Sequence, residues 1–452
     1  MSATTDGHQA SDLESPVVAA SADRDAAEAL EPPLTWHEHP DVVVAQRRTV
    51  KVLLVAQVLG SLGIGAAPSI GVLLAQEVTR SESWAGIARA STTIGAALLA
   101  LPLGMLAARY GRRRSLSLAW AAASAGAALL VLAATTASVA LLVVGMMALG
   151  AGSAAGMQSR FAATDLAVPA HRARSLSMVV WVGTLGAVLG PNLGVPGKAV
   201  EARLGLAPLS GAFLIGAVLL AVTALTVWLR MRPDPLLVAA RHNVTPTSAA
   251  PTPGRAGVRV ALREVRQVPA ARFALTALVL AHVAMVSVMT MTPVSLARHG
   301  QTITVVGITI SVHVLGMYAF APIVGAATDR YGRRPVILAG QVVLGLSAIL
   351  NVVASASTMA VVVGLFLLGL GWSIVTVPAA ALLSQSVPAP SRPFVQGLGD
   401  SAMNAAAAVG AITSGALMAT LGFSGLAAVA GVLILPIVWM ARRRTGVSLP
   451  VA

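Results

Sequence analysis

Four side chains in the second half of the sequence have the types and spacing of a soft metal site. Met285 and Met289 stand at i and i+4, as do His313 and Met317, so each pair puts two donors one helical turn apart on a single face. The midpoint of Met289 and His313 is residue 301, and so is that of Met285 and Met317. In an antiparallel hairpin turning near Gln301 the four donors therefore fall level in two tiers. Three thioethers and an imidazole suit Cu(I), and the chain, which has no cysteine, offers no thiolate to compete. The competing reading is packing, because methionine fills irregular gaps between helices.

The other chemistry-bearing groups are few. Arg89 stands about five residues, or roughly 8 Å, inside an apolar run, where it either snorkels to the interface or faces a cavity. Trp181 and Trp372 sit at comparable depths in two further runs, placed to stack on a planar solute or to pack. His282 heads a stripe with Met285, Met289 and Thr292. If transport is coupled to protons, His282 and Asp400 are the candidates, since Asp165, Asp329 and Asp400 are the carboxylates near the ends of the runs. No Ser/His/Asp, Cys/His or paired-carboxylate arrangement appears in the loops, which leaves no enzyme chemistry to assign.

The elements that must position these groups are membrane helices. The 452-residue chain is 56% hydrophobic and 11% charged, and twelve apolar runs can be placed between residues 50 and 441. The net charge of +14 does not indicate nucleic acid, because 26 of the 31 Lys and Arg residues fall in the tails and in alternate turns. That asymmetry predicts a multi-pass protein of the inner (plasma) membrane with both termini in the cytoplasm.

Gly104-Met-Leu-Ala-Ala-Arg109-Tyr-Gly111-Arg112-Arg-Arg and Gly325-Ala-Ala-Thr-Asp329-Arg330-Tyr-Gly332-Arg333-Arg-Pro lie 221 residues apart and repeat one pattern. Gly86 and Gly307, Gly95 and Gly316, and Gly150 and Gly369 match at nearly the same offset, so the chain is a duplication. Here the sequence resembles the major facilitator superfamily, whose loop between spans two and three reads G-x-L-a-D-R-x-G-R-R. The resemblance implies an all-α membrane protein with twelve transmembrane helices in two pseudo-symmetric six-helix bundles, working by alternating access. It also implies a gating role for the glycines and charges of the two loops. The first loop has Ala108 where the pattern has its acid, and Asp400 is expected to supply the missing anion to Arg112, while Asp329 is available to Arg333.

Gly186-Ala-Val-Leu-Gly190-Pro191-Asn-Leu-Gly194 resembles the g-x-x-x-G-P-x-x-G pattern of antiporters in the superfamily. Physically, its glycines allow a close helix neighbour and Pro191 permits a bend. The Met/His spacing looks like that of the CcoA-like copper importers, a branch that also holds riboflavin-carrying relatives. Copper uptake is thus the leading expectation. Proton-coupled export of amphipathic small molecules is the main alternative, and riboflavin-like uptake and a non-transporting sensor come behind it.

The expected organisation is a disordered acidic tail over 1–48, a six-helix bundle over 49–232, a linker with a basic amphipathic helix over 233–271, a second bundle over 272–442 and a short tail over 443–452. The expected partners are the lipid bilayer and a small-molecule or metal-ion cargo, with no cofactor beyond a transported copper ion, no nucleic acid, and a monomeric state.

Overall fold

The computed structural model describes residues 36, 39–168, 171–242, 255–388 and 391–442, which form helices joined by short turns and loops. Residues 1–35 of the tail expected over 1–48, and all of the tail expected over 443–452, lie outside them. The first helix, α1 (Pro40–Ile64), opens on a proline with Asp41 in its first turn, both favourable at a helix N-terminus. Residues 40–48, expected as tail, are therefore helical. Val42 and Ala45 of that turn are buried against Leu166, Val238 and Trp36, which explains why the chain is ordered there.

A π turn (Ala67–Gly71) leads from α1 into α2 (Val72–Thr79), and α3 (Glu82–Tyr110), α4 (Arg112–Thr136) and α5 (Val139–Ala162) follow. The next crossing is broken: α6 (Arg172–Leu189) passes through a 3-10 turn, Gly190–Leu193, into α7 (Gly194–Leu204). The first half closes with α8 (Gly211–Arg230). The linker carries α9 (Pro235–His242) and α10 (Arg255–Gln267), the latter at the expected amphipathic segment and packed by Val265 into the second-half core.

The second half repeats the order with α11 (Pro269–Arg298), α12 (Ile303–Tyr318) running into α13 (Ala321–Tyr331), α14 (Arg333–Val353) and α15 (Thr358–Gln385). Helix α16 (Arg392–Val432) contains two crossings, because Gly422 takes φ 69° and turns the chain back toward α17 (Leu435–Arg442). Ten helical stretches among the described residues, some of them carrying a kink or short break, are long and apolar enough to span a bilayer. The two remaining crossings are the broken α6–α7 and the one joined to its neighbour at Gly422.

The matched glycines explain how the halves are built. Gly95 of α3 lies against the Met147 carbonyl of α5, and Gly316 of α12 lies against the Phe366 carbonyl of α15, where a Cβ would stand 2.7 Å from the oxygen. Gly150 and Gly369 answer from the other helix of each pair, against Thr92 and His313. Small residues thus seat the same two crossings in both copies by bringing backbones together, the usual device where lipid supplies no hydrophobic drive between helices. Ser138 and Ser357, 219 residues apart, each accept a backbone N–H at the start of α5 and α15.

Gly104, by contrast, has nothing within 4 Å of the position a Cβ would take. Gly95→Leu should cost about 1–3 kcal/mol by overpacking and lower the melting temperature in detergent. Gly104→Ala should leave it unchanged within about 0.5 kcal/mol. Equal melting temperatures for the two variants would contradict this packing.

Candidate substrate cavity between the two halves

One end of the molecule holds the arginine-rich loops, and the two halves meet at the other. At that arginine-poor end Gly86 of α3 lies against the Ala411 carbonyl of α16, and Gly415 of α16 lies 2.7 Å, measured from a Cβ, from the Ser83 Cα. The second seam joins the break in α6–α7 to α12. A Cβ on Gly307 would sit 2.8 Å from the Pro191 carbonyl oxygen, and Gly194 faces Ile303. The Asn192 amide donates to the Ser311 hydroxyl at 2.7 Å, and that hydroxyl donates to the Val188 carbonyl at 2.5 Å. Arg298 pairs with the buried Glu82 between α11 and α3.

Gly86 and Gly307, matched across the repeat, are therefore the glycines of the two seams. The Gly186 to Gly194 motif holds the rest of this junction: Gly186 lies against α1 at the Val58 carbonyl, and Gly190 faces Gly65 where the backbones touch. At the arginine-rich end Gly104, Gly325 and Gly397 have open space where a Cβ would be, so the helices there stand apart.

Between the halves lies a cavity of about 390 Å³, lined by residues of both. Its lining follows the duplication. Ser61 and His282, Ile64 and Met285, Pro68 and Met289, Arg89 and Ile310, Thr93 and Val314, and Ala96 and Met317 are pairs 221 residues apart, and all line it. Ser153 and Trp372, 219 apart, do so as well. One ancestral cavity face thus serves twice, with small and hydroxyl side chains on the first half and His, Met and Trp on the second.

The polar centre is Arg89. It faces the cavity, not the interface, and none of the ion pairs formed among the described residues involves it. On the wall of the second half the Trp372 indole N–H donates to His282 Nδ1 at 3.0 Å, which makes Nδ1 the unprotonated nitrogen. The Tyr318 ring meets Trp372 edge-on at 6.2 Å between centroids. Nothing in the sequence singled out Tyr318, which follows Met317 by one residue and so stands about 100° round the helix from it, or Asn404, one turn beyond Asp400.

Several expectations change. Trp181 is 66% exposed and is not among the cavity residues. Met285, Met289 and Met317 line the cavity, but His313 does not: it is fully buried, and its Nδ1 donates to the Leu365 carbonyl of α15 at 2.8 Å. Helix α15 packs against both α11 and α12, so these two do not form the simple hairpin the spacing assumed.

The gate residues also find other partners. Arg112 is held by Asp165 at 2.9 Å, not by Asp400, which is exposed on α16. No ion pair joins Asp329 to Arg333; Asp329 is exposed, and the buried Nε of Arg333 has no partner. Arg109 and Arg330 lie over the neighbouring Tyr110 and Tyr331 rings at 5.1 and 5.3 Å. Gly111 and Gly332 take φ of 90° and 86° to turn between helices. The separation of the helices at this end explains the missing contact to α16.

Comparison with known proteins agrees with this architecture. The sequence profile of the Major Facilitator Superfamily matches residues 53–302 and 296–450. The uncharacterized MFS-type transporter YdeG of Bacillus subtilis (strain 168) is 32% identical over 402 residues, covering 88% of this chain and 93% of that protein. The riboflavin transporter RfnT of Brucella anthropi is 28% identical over 382 residues, covering 84% and 91%. Among solved structures, a bacterial homologue of the human lysosomal transporter Spinster, inward-facing and unoccupied, superposes with a TM-score of 0.67 at 15% identity, covering 88% of this chain and 96% of that one. The nucleoside transporter NupG gives 0.66 at 15% identity, covering 87% and 97%.

Arg298→Gln should loosen the closed end, since it leaves the Glu82 carboxylate, 9% exposed, without its cation. Spin labels on cysteines at Arg203 and Gln301 would report it as a longer-distance population, enriched about fivefold for about 1 kcal/mol. An unchanged distance distribution would show that the pair does not hold the seam.

Proposed function

The chain belongs to the major facilitator superfamily and is a membrane transporter, and we propose that its cargo is a small planar organic solute carrying hydrogen-bond acceptors. The observation that carries this reading is the unpaired Arg89 guanidinium facing the His282–Trp372–Tyr318 wall across the cavity. A guanidinium offers a fork of donors to carbonyl or carboxylate oxygens, and the indole and phenol rings offer stacking faces. A volume of about 390 Å³ lies in the range of about 300–1,000 Å³ common for small-molecule sites. The riboflavin named for the Brucella relative is planar and rich in acceptors, and it is the first compound to test.

The arginine bias of the loops supports a cytoplasmic position for the arginine-rich end. In that orientation the helices stand open toward the cytoplasm and the glycine seams close the far side. The solute then exchanges between sides as the seams part and the arginine-rich ends draw together, where the open space at Gly104 and Gly325 accommodates a neighbouring helix.

Copper uptake has the narrower support of Met285, Met289 and Met317 on the cavity wall, together with a His313 Nε2 that has no partner. That ligand set needs His313 to reach the cavity surface, whereas Arg89 already faces it and would repel a cation. Proton coupling rests on His282, held by Trp372, and on the exposed Asp400.

Riboflavin added to the purified protein should quench its tryptophan fluorescence with saturation. Arg89→Gln should weaken binding about tenfold or more, the loss expected for a charge-assisted hydrogen bond. Trp372→Leu should remove most of the quenching, and Met289→Ala should change affinity by less than about threefold. Equal binding by wild type and Arg89→Gln would remove the basis of the proposal. Cu(I) binding lost in His313→Ala would favour the metal instead.

A further inference from the structure

A second cavity, of about 430 Å³, lies at the arginine-rich end, away from the central one. It is walled by the end of α3, the start of α4 and the linker leading into α9. Five arginines line it: Arg109, Arg113, Arg114, Arg232 and Arg241. None of them forms an ion pair among the described residues. The single acid in the wall is Asp234, and its carboxylate is already engaged. It accepts the backbone N–H groups of Arg112 at 3.2 Å, Arg113 at 2.8 Å, Leu236 at 3.0 Å and Leu237 at 3.3 Å, capping α4 and α9 together. Gly111 makes this possible, since a Cβ there would collide with the Asp234 carboxylate.

The guanidinium groups are also held in place from below. Arg113 lies over the Trp228 ring at 4.6 Å, and Arg109 and Arg114 lie over Tyr110 at 5.1 and 5.5 Å. Cation–π contact fixes the planes of these groups while leaving their N–H donors free. Every wall element is the end of a membrane helix or the linker beside it, so the cavity sits at the depth of lipid headgroups. Leu237 and Val238 add an apolar flank suited to the start of an acyl chain.

We infer that this cavity binds the phosphodiester headgroup of an acidic phospholipid, clamping the linker to the α3–α4 turn. Arginine forks match phosphate oxygens bidentately, and an anionic bilayer surface presents such groups at this depth.

The test is thermal unfolding of the full-length protein in detergent, titrated with phosphatidylglycerol, phosphatidylcholine or inorganic phosphate. Phosphatidylglycerol should raise the melting temperature with saturation, and the other two should not at equal concentration. Arg232→Gln and Arg241→Gln should each weaken the apparent affinity about fivefold, the effect of about 1 kcal/mol per arginine at a charged surface. Arg80→Gln and Arg203→Gln, which lie at the opposite end, should leave it unchanged. Equal protection by phosphatidylcholine, or by inorganic phosphate, would overturn the lipid assignment. So would loss of the arginine dependence on deleting residues 1–35, which carry seven acids against Arg24 and would then be the occupant.

Discussion

The structure depends on backbone meeting backbone at two glycines. Gly86 against the Ala411 carbonyl and Gly307 against the Pro191 carbonyl leave no room for a Cβ, and they close one end of the space between the halves. Helices in lipid gain little from burying apolar side chains against one another, so close approach and local hydrogen bonds must hold such a seam. The Asn192–Ser311 bond and the Glu82–Arg298 pair add the polar part. A contact of this kind is either made or broken, because a packed interface does not deform gradually, and this suits a machine with two states. The cavity, its lining and the exposure of Arg89 all follow from the seams being made while the opposite ends stand apart.

Duplication supplied the scaffold twice, and the two copies then diverged where chemistry is needed. The crossing glycines at 95, 150, 316 and 369 do the same work in both halves. The cavity positions do not: Arg89 answers Ile310, Ser61 answers His282, and Ser153 answers Trp372. One half therefore brings the fixed charge and small groups, and the other brings the rings and thioethers. The turns at the arginine-rich end diverged in the same way. Asp165 and Asp234 hold the first, where Ala108 replaces the expected acid, and Asp329 stands exposed in the second.

The fold was legible in the sequence because its signals are periodic and repeated: apolar runs of bilayer length, the two arginine loops, and glycines matched 221 residues apart. The site was legible only in part. His282, Met285 and Met289 were assigned to one stripe and do share the cavity wall. His313 and Trp181 were not placed correctly, and for a common reason. A helix that is apolar all round carries no hydrophobic asymmetry to say which face looks inward, so spacing groups residues without orienting the group. His313 faces α15, and Trp181 is exposed outside the cavity lining. Contacts between distant segments, such as Glu82 with Arg298 or Asp234 with the start of α4, leave no periodic trace.

The most direct test of the account is to lock the seam and follow the cargo. The chain has no cysteine of its own, so Asn192→Cys with Ser311→Cys introduces one pair across the closed end. In proteoliposomes, radiolabelled riboflavin flux should fall to background when that pair is oxidised and return on reduction. Flux that persists through the locked seam, or no flux in the reduced protein, would contradict the claim that this solute crosses through the central cavity by alternating access.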